Sequence, residues 1–531
     1  MILVVLVAAF FLLSYKHLVS SNWLQFSDSA KFADIARNVF LNKGLGKSFN
    51  FFNTELETIG TNKLFTTTGV PIANPMAIYL SFKIFGLSDQ SVTYVSMISY
   101  ILSVIFIYLL GSKIFNKTSG TVGAILFASN LSMLAYAVSG ASESLFILEI
   151  VMSFYFIAIN KPWSVILSLL VLVLMYLTRP MAFIFLLGAL VFWMTINFGV
   201  KKSIKGIFIV CTLALIFDWF ILYPLSFKTP IYSVISRGQE AVLHYPSGVS
   251  TSYSLRGGIT PELSYQEVAK KVFYNVYNFY KLLPEIISPY IFALFLINLF
   301  IWGKSKLEDS FKFASIVVVL LSIFAVAITI PLIRYLHPII PFVYLLAAEM
   351  LTNLVSTITK KKLTTLLILS FIILFFSLGQ SLGKIFLDSR FEKKMYNVGK
   401  APVYVLLSTV LKDKTNENST VLTNLDTWGT WYGERKTVWY PIDPKLITNI
   451  DPSNIPFDYI YLTNYLIDDE NYAMNQNWRM IFDNPNSPDK WVCDGCKEIA
   501  NQYKLEGIYK IDPASNYENK EGLGVLLVKQ K

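Results

Sequence analysis

Long runs of apolar residues restrict the fold of this sequence more than any other feature. A helix crosses the hydrocarbon core of a bilayer with about 20 apolar residues and bonds its backbone polar groups internally. The runs predict a multi-pass α-helical membrane protein with about 11 transmembrane helices. Their approximate limits are 2–19, 91–111, 119–137, 143–159, 163–178, 181–198, 205–225, 286–303, 313–331, 337–355 and 363–382.

The composition supports the same class. Of the 531 residues, 54% are hydrophobic and 15% are charged, whereas soluble domains carry about 25% charged residues. The first run, 2–19, lacks the basic start and the cleavage site of a signal peptide. We therefore interpret it as the first membrane helix.

Lysine and arginine are divided unequally between the short loops on the two sides. One set of alternate loops holds twelve cationic residues, and the other set holds only Arg179 and Arg334. Because cytoplasmic loops carry the excess of positive charge, we expect the first set to be cytoplasmic. The prediction is a plasma-membrane protein whose N-terminus is cytoplasmic and whose C-terminal region is outside. This asymmetry accounts for much of the net charge of +10 and disfavours a nucleic-acid partner.

Three polar pieces fall on the outer side: the loops 20–90 and 226–285 and the tail 383–531. We expect a membrane domain, 1–382, that includes both loops, and an extracytoplasmic α/β domain, 383–531. The 226–285 loop is a candidate lid or acceptor-binding segment. Three apolar runs in the tail are typical of strands, at 420–422, 459–462 and 524–528.

Two cysteines of the tail are spaced as C-x-x-C, at Cys493 and Cys496. A zinc site would need a second pair of ligands, and the three histidines lie far away in sequence. We therefore expect a local disulfide. The third cysteine, Cys211, lies in an apolar run and is expected to pack there.

The first outer loop contains a short amphipathic helix that begins near Asp28. Its apolar residues recur at helical spacing, and Gly44 is a plausible stop at C′. We expect this helix to lie on the membrane surface, with Asp34 solvated and with Lys31 and Arg37 near lipid phosphates.

Two acidic residues are candidates for chemistry. Asp28 is either an N-cap or a catalytic carboxylate beside the membrane, and the two roles are compatible. Glu143, near the start of the fourth span, either favours the helix dipole or belongs to the site. Three more acids, Asp218, Glu149 and Glu349, lie inside or near the ends of predicted spans, where ionisable side chains are functional candidates. The alternative for Glu149 and Glu349 is that they lie near a helix end or are hydrogen-bonded to a neighbour.

The two arginines of the outer loops are candidates for binding a substrate phosphate, because arginine binds phosphate in a bidentate way. The alternative is that Arg179 and Arg334 pair with Asp28, with Glu143 or with ordinary lipid phosphates. His337, three residues after Arg334, is expected on the same helix face. A second helix of the first outer loop is expected to have Asn74 as its cap and to begin with a proline; Asn74 either docks that helix or faces the site.

Four segments of the sequence follow a recognisable pattern: 28–38, 74–88, 139–146 and 334–341. In their order along the chain they resemble the C-type glycosyltransferase superfamily, nearest the aminoarabinose transferases and the protein O-mannosyltransferases. The fourth segment, R-Y-L-H-P-I-I-P, is similar to the family's R-Y-L-x-P-x-x-P. A weaker fifth piece is L-T-R-P around Arg179. Two positions depart from the pattern: Ser29 stands where many relatives have a second acid, and Asn74 stands where many have histidine.

The resemblance implies a polyprenyl-phosphate sugar donor, an unknown acceptor and contact with membrane lipids. It leaves a divalent metal as a possible cofactor. A lipid phosphate is a good leaving group, so one carboxylate that takes the acceptor's proton could suffice. On this basis Asp28 is the expected base and Glu143 a further catalytic candidate. The expected substrate- or phosphate-binding residues are Arg334, Arg179, Lys31, Arg37, His337 and Asn74. A transporter of lipid-linked saccharides and a non-catalytic scaffold remain alternatives.

Overall fold

The computed structural model describes residues 1–199, 240–359 and 399–530, apart from short gaps at 19–20, 53, 60, 62, 68–69, 246–247 and 452–453. The predicted spans 205–225 and 363–382, with Cys211 and the candidate Asp218, lie outside the described residues. The helices are α1 Ile2–Leu18, α2 Ser27–Phe40, α3 Ala73–Phe85, α4 Asp89–Ile114, α5 Lys117–Ala128, α6 Leu131–Ala137, α7 Glu143–Ile159, α8 Pro162–Thr178, α9 Ala182–Phe198, α10 Gly248–Leu255, α11 Tyr265–Ile286, α12 Pro289–Leu299, α13 Lys306–Ile328, α14 Ile340–Ile358, α15 Val403–Lys414, α16 Asp426–Trp431, α17 Lys445–Thr448, α18 Gln476–Asp483 and α19 Cys496–Gln502.

The described chain forms two compact units. The first, called the membrane unit here, comprises 1–17, 94–246 and 262–388. The second, called the polar unit here, comprises 18–93, 247–261 and 389–531. In this grouping the first outer loop and part of the second belong with the tail, whereas the sequence suggested that both loops belong with the membrane domain.

Among the described residues, three helices are long and apolar enough to cross a membrane: α4, α13, and α14 together with the 3₁₀ helix Ile333–Ile339 before it. Two bent pairs also qualify when each is taken as one span: α5 with α6, bent by 67°, and α11 with α12, bent by 113°. Helices α1, α8 and α9 are apolar but shorter. The chain is thus a helical membrane protein, and the count of about 11 spans stays a prediction.

Small residues bring α4, α5 and α14 close together. A Cβ added to Gly120 would lie 2.6 Å from the backbone nitrogen of Ser112 and 2.7 Å from the carbonyl oxygen of Tyr108, both in α4. A Cβ added to Gly123 would lie 2.9 Å from the Leu345 side chain in α14. Such close approach of backbones is typical of helices that pack within membranes, where van der Waals contact drives association.

The polar unit is built on a six-stranded mixed sheet with the order β1-β3-β2-β4-β6-β5. The first four strands of this order pair in parallel, and β6 pairs antiparallel with both β4 and β5. The three runs that the sequence predicted as strands are β2, β4 and β6. The strands are β1 Phe49–Asn50, β2 Thr420–Thr423, β3 Lys436–Trp439, β4 Tyr459–Thr463, β5 Tyr503–Ile511 and β6 Gly522–Lys529.

Both outer loops contribute to this unit. Strand β1, from the first loop, pairs with β3, so that Phe49 lies opposite Thr437. From the second loop, the buried Arg256 donates hydrogen bonds to the carbonyl oxygens of Tyr440 (3.2 Å) and Ala473 (3.0 Å). In the described part of the loop 226–285, residues 248–255 form α10 and residues 265–285 belong to α11. Its role as a lid or acceptor-binding segment stays a prediction.

The predicted disulfide between Cys493 and Cys496 is present. Cys496 is fully buried at the start of α19, in the core that packs beneath the sheet. The largest buried side chains of this core include Trp478 and Trp491, whose indole N–H groups donate to the carbonyl oxygens of Pro441 and Asn484. These two buried indoles thus keep a hydrogen-bond partner.

Candidate functional site

An ion pair joins the ends of two helices of the membrane unit. Arg179 follows the last residue of α8, and Glu143 is the first residue of α7. Their side chains are almost wholly buried, and Arg179 Nη1 lies 3.0 Å from Glu143 Oε1. Glu143 therefore neutralises Arg179, one of the partners that the sequence left open for this arginine.

Arg334 lies close to this pair in the membrane unit, on the 3₁₀ helix Ile333–Ile339. The guanidinium carbon of Arg334 is 5.2 Å from the centre of the Tyr335 ring, and that of Arg179 is 5.7 Å from the same centre. Arg334 Nη2 also donates to the Tyr335 hydroxyl (3.4 Å). Both guanidinium groups are thus within cation–π distance of one aromatic ring.

His337 belongs to the same group, although it lies on a 3₁₀ helix rather than on the expected α-helix. At three residues per turn, positions i and i+3 lie one above the other. The Nδ1 atom of His337 is 2.9 Å from the carbonyl oxygen of Arg334. The imidazole packs edge-on against Tyr136, with ring centres 4.9 Å apart.

The turn that carries Glu143 is fixed by a serine of α4. The Ser96 hydroxyl donates to the carbonyl oxygen of Ala137 (2.7 Å) and accepts from the backbone N–H of Gly140 (3.0 Å). Gly140 has φ +75°, in the left-handed region that glycine adopts without strain. This turn delivers Glu143 to the first turn of α7, where the helix dipole favours a carboxylate.

The cluster of Glu143, Arg179 and Arg334 carries one negative and two positive charges. A net positive group beside a buried carboxylate can bind a phosphate, because guanidinium groups form bidentate, charge-assisted hydrogen bonds. The sequence named these three residues and His337, and the structure brings all four into one region of the membrane unit.

Two other acids of the membrane helices have local partners. Glu149 accepts a hydrogen bond from the Thr178 hydroxyl (2.8 Å), the residue before Arg179. Glu349 accepts from the Ser119 hydroxyl (2.6 Å) and from Asn353 Nδ2 (2.8 Å). These contacts tie α7 to α8 and α14 to α5, as in the alternative in which each acid is hydrogen-bonded to a neighbour.

In the polar unit, Asp28 lies in the first turn of α2 and forms an ion pair with Lys31 (2.6 Å). The helix begins two residues earlier than the N-cap hypothesis required: the capping position is Phe26, which offers no side-chain cap. Asp28 still lies where the positive end of the helix dipole favours a carboxylate.

The expectation that Asp34 is solvated is wrong, whereas the position of α2 at the membrane surface stays a prediction. Asp34 is fully buried and accepts hydrogen bonds from Arg37 Nη2 (2.8 Å) and from the backbone N–H of Ser48 (2.6 Å). Arg37 is also buried and donates to the carbonyl oxygens of Thr430 and Trp431. These contacts place the Arg37 guanidinium inside the unit rather than at a lipid phosphate. The helix also stops before Gly44, since Asn42, with φ +57°, takes the left-handed position expected for that glycine.

Asn74 is not the cap of α3 either, because the helix begins at Ala73 with Ile72 in the capping position. The Asn74 side chain is buried, and the described part of the chain gives its Nδ2 atom no hydrogen-bond partner. Ser29, the other position that departs from the family pattern, is also buried, and its Oγ atom likewise has no partner among the described residues.

Sequence reasoning missed Asp426, a buried carboxylate near Asp28 and Lys31. Asp426 has φ +52°, and it accepts hydrogen bonds from the Tyr472 hydroxyl (2.9 Å) and from the backbone N–H of Thr427 (2.7 Å). Burial raises the pKa of Asp426 above its usual value, and the negative charge of Asp28 raises it further, while the Lys31 charge opposes the shift. Its segment, N-L-D-T-W, carries no recognisable motif.

The described ranges contain no group of three His, Cys, Asp or Glu side chains that could hold a metal ion.

Comparisons with known proteins agree with these features. The model of the dolichyl-phosphate-mannose-protein mannosyltransferase family matches residues 70–223. No curated protein matches the chain at a significant level.

Solved structures share the fold over nearly the whole chain. The oligosaccharyltransferase of Archaeoglobus fulgidus has a TM-score of 0.56 at 10% identity, covering 97% of this chain and 74% of its own. The same archaeal enzyme, AglB, is also known with an inhibitory peptide and a dolichol-phosphate (TM-score 0.55, 10% identity, 98% and 74% covered). ArnT from Cupriavidus metallidurans, bound to undecaprenyl phosphate, has a TM-score of 0.53 at 12% identity, covering 99% and 97%. The resemblance inferred from the sequence motifs is therefore confirmed: the chain has the fold of the C-type membrane glycosyltransferases.

Proposed function

We propose that the chain is a membrane glycosyltransferase that moves a hexose or pentose from a polyprenyl-phosphate carrier to a lipid, glycan or protein acceptor. The observation that carries the proposal is the cluster of Arg179, Arg334 and Glu143, whose net positive charge suits a lipid phosphate. Two structures of similar fold hold such lipids, undecaprenyl phosphate in ArnT and dolichol-phosphate in AglB.

The proposed reaction is a single displacement. An acceptor hydroxyl oxygen attacks the anomeric carbon as a carboxylate takes its proton, and the bond from that carbon to the phosphate oxygen breaks. The polyprenyl phosphate leaves with the electron pair, so the anomeric centre inverts. Arg334 and Arg179 are assigned to the departing phosphate, whose negative charge grows in the transition state.

Asp28 is assigned as the base. The family's acidic motif supports this role, as does its partly exposed carboxylate at the start of α2. Lys31, His337 and Asn74 remain candidates for binding the substrate. The buried contacts of Arg37 favour a structural role for that residue instead. We place the reaction on the outer face of the plasma membrane, with the N-terminus in the cytoplasm, on the charge asymmetry of the loops.

The test is sugar transfer from polyprenyl-phosphate donors by the purified full chain and by Asp28→Asn, with melting temperatures measured in parallel. The substitution removes the base but keeps the shape of the side chain. We expect transfer to fall by about 10²- to 10⁴-fold, the usual contribution of a general base, at an unchanged melting temperature.

The matched control is Asp494→Asn. Like Asp28, Asp494 pairs with a lysine, Lys445, at 2.9 Å, but its side chain is far more exposed. The control should transfer sugar at the wild-type rate. If Asp28→Asn matches it, Asp28 is not the base. If the wild type transfers sugar from none of the donors, the transporter and scaffold alternatives gain support.

A further inference from the structure

Helix α11, Tyr265–Ile286, presents an aromatic face that other described residues leave uncovered. Phe273, Tyr274, Tyr277 and Tyr280 follow one another at helical spacing and are exposed, Phe273 by 78% and Tyr280 by 75%. Lys281 lies beside them, with its ammonium 4.3 Å from the centre of the Tyr277 ring. Aromatic rings and lysines on one helix face are typical of a helix at the lipid–water interface.

The opposite face of α11 is hydrogen-bonded to other segments of the membrane unit. Lys271 donates to the carbonyl oxygen of Ala241 (2.9 Å), and Asn275 donates to the carbonyl oxygen of Ala327 (2.8 Å). Ala327 is near the end of α13, just before the segment that carries Arg334. The helix is therefore held at the end of the bundle where the arginines lie.

The direction of α11 fits an interfacial position. It is followed by a bend of 113° into α12, so the angle between the two helices exceeds a right angle by only 23°. If α12 enters the bilayer steeply, α11 lies closer to the membrane plane than to its normal. The bend is fixed at its inner corner by Asn130, whose Nδ2 donates to the carbonyl oxygen of Ile286 (2.7 Å) and to the Tyr344 hydroxyl (2.6 Å).

The two helices that adjoin α11 also expose apolar side chains. Helix α12 exposes Tyr290 and Leu296, and α13 exposes Leu320 and Phe324. These side chains lie on membrane helices, where lipid is the natural neighbour. Because α11 leads directly into α12 and is hydrogen-bonded to α13, we take lipid as the occupant of its exposed face as well.

We propose that α11 lies in the headgroup region of the bilayer, on the side of Arg334, and contacts phospholipid through Phe273, Tyr277 and Tyr280. By its bonds to α13, the helix sets the depth of the Arg179–Arg334 cluster at the level of lipid phosphates. Tyrosine hydroxyls and Lys281 would face the polar boundary, while the rings lie against acyl chains. The position of the helix stands without the proposed function, although its consequence for the arginines rests on it.

The experiment measures the depth of nitroxide labels in phospholipid nanodiscs that hold one copy of the full chain. Single cysteines replace Phe273, Tyr277 or Tyr280 in a Cys211→Ser background, and the disulfide-bonded cysteines do not react with the label. Leu320→Cys gives the hydrocarbon reference and Lys504→Cys, on an exposed face of β5, gives the aqueous reference. The readout is collision with oxygen compared with collision with a water-soluble nickel chelate.

We expect the three α11 labels to fall between the two references, with the nickel collision rate at least several-fold below that of Lys504→Cys. Rates equal to those of Lys504→Cys would overturn the proposal. A second copy as the occupant would also overturn it, and would appear as dipolar broadening of the α11 labels in nanodiscs loaded with two copies. Melting temperatures of the labelled variants show that each one is folded.

Discussion

The carboxylate of Glu143 lies 3.0 Å from the guanidinium of Arg179, and both side chains are almost fully buried. Breaking a buried ion pair by removing one partner leaves an uncompensated charge, which costs about 3–5 kcal/mol. We expect Glu143→Gln and Arg179→Gln each to lower the melting temperature clearly. The double variant should lose much less than the sum of the two, because it leaves neither charge alone. Strictly additive losses would show that the pair is not coupled.

Arg334, beside Tyr335, should respond differently to replacement by lysine and by alanine. Lysine keeps the charge but loses the planar, bidentate donor set. We expect Arg334→Lys to lower kcat/KM for the polyprenyl-phosphate donor by about 10- to 100-fold, and Arg334→Ala by more. The matched control is Arg479→Lys, at an exposed arginine that pairs with Asp468. A role in packing alone would lower the melting temperature of both Arg334 variants without this graded loss of activity.

Asp28 and Asp34 lie on the same helix, but their substitution should change the unfolding free energy by different amounts. Asp34→Asn leaves the buried Arg37 without its charge partner, so we expect a loss of about 3 kcal/mol in unfolding free energy. Asp28 is partly exposed, and Asp28→Asn should leave stability nearly unchanged. Thermal unfolding of the two variants beside the wild type measures the contrast. Equal melting temperatures would contradict the structural role of Asp34.

Asp426 makes stability depend on pH. Burial raises its pKa in the folded chain above 3.8, so the folded state holds the proton more tightly than the unfolded state does. The contribution of protonated Asp426 to the unfolding free energy is therefore complete below about pH 4. It is lost as the pH rises through the pKa of Asp426 in the folded state. In Asp426→Asn the amide oxygen can still accept from the Thr427 N–H, and the amide NH₂ can donate to the Tyr472 hydroxyl oxygen. Asn also tolerates the left-handed backbone at φ +52°.

We therefore expect Asp426→Asn to melt above the wild type at pH 7, and the difference to shrink as the pH approaches 4. Melting curves across that range test both points. Asp494→Asn controls for the general effect of removing an acid, because Asp494 is exposed and the ammonium of Lys445 lowers its pKa instead. A variant that melts below the wild type at pH 7 would show that the Asp426 charge is needed by the fold.

Local patterns in the sequence were enough for elements whose formation depends on near neighbours. The break between α8 and α9 follows from Arg179-Pro180, because proline cannot continue a helix. The disulfide follows from the spacing of Cys493 and Cys496, which are only three residues apart. The sequence also identified Arg179 and Arg334 as members of the cluster, because cations that are disfavoured in outer loops need an anionic partner.

The sequence by itself determined the apolar helices and the strands of the tail, since each depends on residues close together along the chain. The tertiary structure brought Glu143 and Arg179 to Arg334. Only the tertiary structure decided that Asp34 is buried, that β1 joins the sheet of the tail and that Asp426 lies near Asp28. The physical reason is that periodicity shows which face of a helix is apolar, but not whether another element covers its polar face. Helix α2 has such a polar face, and α16 covers it where Arg37 bonds to Thr430 and Trp431.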